Sequence, residues 1–231
     1  MNITKPTAIN KNDIYQYLGF GSSEPDSSTL SLVETCSKEI LSAAQPREFH
    51  SYFQMGFLTS GSLYIGSEKF QLPGKDIAAH LAGCHGCVMF AVTLGAQVDR
   101  IIRISQVNDM AKAVILDCCA SVLIEEICEQ ISEDIQKEYM AQNLYTTMRF
   151  SPGYGDLPLS VQDVFINLLD TNRKIGLTQS KDHLLLPRKS VTAVIGISTA
   201  YTKGKLAGCE TCALKDTCRL RESGVRCGKE K

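Results

Sequence analysis

The sequence predicts an α+β fold: a twisted, mainly antiparallel sheet with helices, one of them long and central. Three observations predict it. An apolar stripe of helical period runs through the stretch from about Asp109 to Tyr139. Short apolar runs of strand character stand at Cys87 to Leu94 and at Val191 to Ile197. Helical and extended patterns follow one another without the regular alternation that a doubly wound parallel sheet requires.

Taken in order, Ser28 to Ala44 reads as a helix, because Leu30, Val33, Cys36 (or Ser37), Ile40 and Ala44 recur at three- and four-residue steps and Pro46 ends the run. Phe49 to Ile65 reads as a hairpin about Thr59-Ser60-Gly61, and Lys69 to Leu72 as a further strand. Pro73-Gly74 breaks the chain before a short helix over Asp76 to Leu81. Cys87 to Leu94 is an apolar run interrupted only by Thr93, which suits a strand covered on both faces, and Gly95 ends it. In the long helix the stripe is Leu116, Ala120, Leu123, Ile127, Ile131 and Ile135. Around Val114 to Ile124 almost every side is apolar, so the middle of this helix belongs in the core. Leu144 to Phe150 reads as a strand, Ser151 to Leu159 as a loop, and Val161 to Leu169 as a helix entered through Ser160 with Asp163 as a partial capping box. Leu184 to Leu186 and Val191 to Ile197 close the sheet. Beyond Thr202 the composition turns to Lys, Arg, Gly and Cys, which divides the chain into a main domain over 1–204 and a small cysteine-rich basic tail over 205–231.

A chain of 231 residues with 44% hydrophobic and 21% charged residues has the balance of an ordinary globular protein. Its 24 basic and 25 acidic residues leave no basic excess, which argues against nucleic acid as an obligate partner. Met1 to Asn12 is polar, unlike a secretory leader. The most apolar stretch, Val114 to Ile124, contains Asp117 and Ser121 and is far shorter than a bilayer span, so no membrane role is expected. A cytoplasmic protein is the expectation, and its ten cysteines then read as thiols or metal ligands before disulfides.

The densest chemistry lies in Arg149 to Asp156, Arg-Phe-Ser-Pro-Gly-Tyr-Gly-Asp. Gly153 and Gly155 allow backbone angles closed to other residues and let a ligand approach the main chain. The loop ends at a helix N-terminus, where N–H groups favour anionic atoms. Arg149 can hold a carboxylate through two hydrogen bonds. Taken without their context, Pro-Gly-Tyr-Gly is more often a tight strand-to-helix connection and Arg149 more often a surface or salt-bridged arginine, and Asp156 favours the following helix through its dipole.

Order and spacing add more. Arg-x-x-Pro-Gly-Tyr at Arg149 to Tyr154, then a helix, then Pro-x-x-Ser-Val at Pro187 to Val191, resembles the signature of the activation domain of vitamin B12-dependent methionine synthase. A looser likeness extends to Tyr17-Leu18-Gly19 and Ala91 to Gly95. The resemblance implies an S-adenosylmethionine site, which by position falls on Arg149, Pro152, Gly153 and Tyr154, with Gly155 and Asp156 completing the turn. It implies a component of a methyltransferase system in which a reductant such as flavodoxin reduces inactive cobalamin and S-adenosylmethionine then methylates it. No general base or nucleophile is needed for this, and the cofactors carry the chemistry. The Asp-x-His-x-x-Gly signature of cobalamin-binding domains is missing from the sequence. The corrinoid is therefore expected in trans, on a separate methionine synthase or another corrinoid methyltransferase. Two departures mark this chain: Tyr201 is the one aromatic residue between the Ser-Val strand and the tail, and the family's acidic ligand-binding residue near the start of the domain has no clear counterpart.

Cys209, Cys212, Cys218 and Cys227 form Cys-x2-Cys-x5-Cys-x8-Cys. Four thiolates so spaced can close a tetrahedral zinc shell or hold an iron–sulfur cluster, and the pattern leaves the two open. It also supports a second reading, a metal-binding redox or interaction protein on the same fold. Cys84 and Cys87 make a second Cys-x2-Cys without a partner pair, and Cys118, Cys119 and Cys128 read as small buried hydrophobes of the long helix.

Overall fold

The computed structural model describes residues 4–20, 23–59, 62–202 and 216–217. Its centre is a six-stranded sheet of β1 (Arg47–Phe57), β2 (Leu63–Ile65), β3 (Ser67–Leu72), β4 (Gly86–Thr93), β5 (Tyr145–Thr146) and β8 (Ser190–Ser198), in the order β3-β2-β1-β4-β8-β5. Every neighbouring pair is antiparallel. The fold is α+β, as the sequence predicts.

The long helix α5 (Met110–Met140) lies against one face with α1 (Lys11–Tyr17), α2 (Ser27–Ala43) and α4 (Ala96–Asn108). The other face carries α3 (Lys75–His80), α6 (Gln162–Leu169) and α7 (Thr171–Ile175). Alternation along β4 feeds both layers: Val88, Phe90 and Val92 enter the α5 core, and Cys87, Met89 and Ala91 enter the α6 core. That is why this strand carries no polar face. In α5 all six residues of the apolar stripe are buried. Asp109 starts the helix, its side chain accepting from Lys112 N–H at 3.0 Å.

Several elements differ from the sequence reading. Leu185–Leu186 (β7) pairs with Thr178–Gln179 (β6) in a separate two-stranded ribbon and does not join the main sheet. The helix after the glycine-rich loop opens with a 3-10 turn, Leu159–Val161, and no side chain caps it. The Asp163 carboxylate turns instead to Gln179 Nε2, so the capping box does not form. Helix α4, the short helices α1 and α7 and strand β6 are additions. Val98, Ile102 and Ser105 form the buried side of α4 and Asn10 caps α1, both signals present in the sequence.

Candidate functional site

Strand β8 has β4 on one side and the chain's edge segment 145–150 on the other. Thr146 pairs with Ile197 and Phe150 bridges to Val194, so four steps along the edge match three along β8. One residue is therefore extra, and the segment bulges at 147–149. This replaces the unbroken strand expected over Leu144 to Phe150. The bulge is firmly held. Thr147 N–H donates to Gly196 O at 3.0 Å, and Gly196 N–H returns to Thr147 Oγ1 at 2.8 Å. Phe150 and Val194 exchange two bonds of 2.9 Å. Gly196 is needed there, since a Cβ would fall 2.6 Å from Cys84 Sγ and 2.7 Å from Leu81 Cδ2.

The bulge aims Arg149 at α5. Its Nη2 donates to Glu125 Oε2 at 2.6 Å and lies 3.5 Å from Glu129 Oε1. The two glutamates stand one helical turn apart, so both carboxylates reach one guanidinium. The arginine side chain is 22% exposed and the carboxylates 44% and 43%, which leaves the acidic side of the cluster open to solvent. Burial works against the Arg149 charge, but Cys128, Glu125 and Glu129 outweigh it and hold the guanidinium above its ordinary value. Burial also pushes the Cys128 thiol up to about 12. It is neutral at physiological pH, and the glutamates are the operative partners. Neither glutamate carried a signal in the sequence beyond i,i+4 spacing on a helix; the fold alone brings them to Arg149.

Pro152 to Asp156 fold into one tight turn on the other side of the strand. Gly153 N–H donates to Leu157 O at 2.9 Å, and Leu157 N–H to Tyr154 O at 3.0 Å. Gly153 (φ +91°) and Gly155 (φ +52°) occupy the left-handed region that such a turn demands. Pro152 is buried, whereas Tyr154 is 54% exposed and its ring lies 6.2 Å from that of Phe150. Asp156 caps α3 and not the helix that follows it: its carboxylate accepts Lys75 N–H at 2.7 Å and Asp76 N–H at 3.0 Å. The turn residues are thus together, while Arg149 sits on the α5 side of the same edge. Among the described residues this segment is the outer edge of the sheet, and a ligand touching both Arg149 and Tyr154 crosses it. Tyr201 stands further along that edge, edge-on to Tyr145 with ring centroids 6.1 Å apart.

Among the described residues no cluster of three or more metal-ligating side chains is present, and no helix is long and apolar enough to cross a membrane. Cys87 is fully buried, with a thiol that burial drives up to about 12, so the Cys84–Cys87 pair offers poor metal-binding thiolates. Cys119 and Cys128 are buried as expected, and Cys118 is half-buried. Cys209, Cys212, Cys218 and Cys227 lie outside the described residues.

Fold and site together define an α+β domain whose densest cluster of polar side chains sits at a bulged sheet edge, between a long helix and a glycine-rich turn. The model of the family "Vitamin B12 dependent methionine synthase, activation domain" matches residues 76–205, and the chain belongs to that family. The match takes in Arg149 through Asp156 and ends before Cys209. Among solved structures, the fold is similar to that of the MetH reactivation domain bound to AdoHcy, with a TM-score of 0.63 and 17% sequence identity over 94% of this chain and 82% of that one. No curated protein sequence matches the chain.

Proposed function

We propose that this protein binds S-adenosylmethionine across the bulged edge and serves as an activation module that supports reductive methylation of cob(II)alamin held by a separate corrinoid protein, with flavodoxin or a similar reductant. The observation that carries the reading is the Arg149–Glu125–Glu129 cluster inside the family match. Two carboxylates stand beside the one guanidinium. The ligand, with a carboxylate, an ammonium and a sulfonium, has a net charge of +1. Arg149 takes the ligand carboxylate, and the released glutamates face its cationic groups. Tyr154 offers an exposed ring for the adenine. Pro152, Gly153 and Gly155 shape the turn that presents it, and Asp156 fixes that turn to α3. The structure of the related reactivation domain holds AdoHcy, the demethylated form of this ligand. Cobalamin supplies the methyl-accepting metal; this chain's share is to bind and orient the donor.

Calorimetric titration with S-adenosylmethionine tests the reading. Wild type binds, and Arg149→Ala weakens binding by at least about tenfold, the loss of one charge-assisted hydrogen bond. Equal affinity for the two proteins removes the site assignment. A second reading rests on the tail, whose four cysteines suit zinc or an iron–sulfur cluster. Metal analysis and visible absorption after anaerobic purification distinguish a cluster, zinc and neither.

A further inference from the structure

We infer that His80 is a positioning residue for Arg149, acting through the backbone of the bulge; this rests on the S-adenosylmethionine reading above. His80 ends α3, is 1% exposed, and places Nε2 2.8 Å from Met148 O. A carbonyl only accepts, so Nε2 carries the proton. The Met148–Arg149 peptide is planar, and holding its oxygen fixes the plane that enters the Arg149 Cα. The plane that leaves it is fixed by Phe150 N–H on Val194 O at 2.9 Å. With both planes pinned, the Cα–Cβ bond of Arg149 has one direction, toward α5. The Thr147 hydroxyl also donates to that oxygen, at 2.9 Å, so without the imidazole the bulge keeps this local bond and loses the one that ties Met148 O to α3.

The same short helix holds the far end of the segment. Asp156 binds the first amides of α3 and His80 the bulge from its last residue, so α3, about 9 Å long at 1.5 Å per residue, braces the stretch 148–156 at both ends. Glycines let the two parts close up: a Cβ on Gly74 would meet Asp156 Oδ1 at 2.6 Å, and one on Gly155 would meet the Asp76 carboxylate. The His80 ring also lies 5.1 Å from that of Phe150, which in turn neighbours Tyr154. One buried histidine thereby touches the supports of both ligand-contacting side chains.

A double-mutant cycle on S-adenosylmethionine affinity tests this, with each protein first shown to melt cooperatively. His80→Phe keeps a ring and loses the donor; it is expected to weaken binding about tenfold. His80→Gln, which restores an N–H at similar reach, stays within about threefold of wild type. In the Arg149→Ala background His80→Phe adds nothing, because the residue it positions is gone. If His80→Phe does not fold, His80→Asn, whose amide stops short of Met148 O, takes its place in the cycle. The inference is overturned if the histidine substitution leaves affinity unchanged or weakens it equally in both backgrounds. Wild type that fails to bind sinks the functional reading itself, a different result.

Discussion

Strand β8 has two very different neighbours. On one side β4 pairs with it in unbroken register from Gly86↔Ile197 to Thr93↔Ser190. On the other side the segment 145–150 manages two residues of strand, a bulge and a single bridge. All of β4 is buried, with a helical layer on each face and a strand on each side. A one-residue slip there would move every side chain into the wrong core, so its register admits no irregularity. Among the described residues the edge segment has a ladder on one side only. An extra residue costs it little, and the bulge turns Arg149 to one layer while Phe150 serves the other. Regularity stabilises this sheet at the centre, and irregularity at the rim carries the proposed binding site.

The sharpest way to break the comparison is to attack the centre. Phe90→Ala removes a fully buried ring from β4 and is expected to cost about 3–5 kcal/mol in denaturant unfolding. A cost below about 1 kcal/mol would mean that β4 is not the rigid partner described here. At the rim the expected effect is smaller. Asp156→Ala removes the cap of α3 and should cost about 1 kcal/mol, with faster amide exchange at Lys75 and Asp76. Unaltered exchange at those amides would show that the turn does not anchor the helix.

The smallest effect is expected on β1, the other neighbour of β4. His50 Nδ1 lies 3.0 Å from Glu48 Oε2, and that hydrogen bond raises the His50 pKa above its ordinary 6.5 against the opposing effect of burial. A raised folded-state value stabilises the protein fully below about pH 6.5, and the contribution fades as pH rises through the folded-state pKa. His50→Gln should flatten that part of the stability profile. An NMR titration placing the His50 pKa at or below 6.5 would contradict the pairing.

Much of this was readable from residue order. The apolar run of β4 and the stripe of α5 mark elements that belong in the core, because such patterns have no other stable place. Arg149 and the Pro-Gly-Tyr turn stood out through their spacing to the Ser-Val strand. The partners of Arg149 did not. Glu125 and Glu129 look like any exposed pair on a helix until the sheet edge is laid against it. Spacing along the chain assigns Asp156 to the helix after it, whereas its carboxylate reaches back some eighty residues to α3. The bulge was invisible as well, since it exists only in the register between two separated segments.

The sequence by itself determined the fold class, the central strand, the long helix and the family, because periodicity and short motifs are local properties that survive being read along a line. Tertiary structure decided the direction of Arg149, its acidic partners and the bracing by α3. Those depend on which atoms of distant segments come within about 3 Å of one another, a fact settled by strand register and packing and not by spacing along the chain.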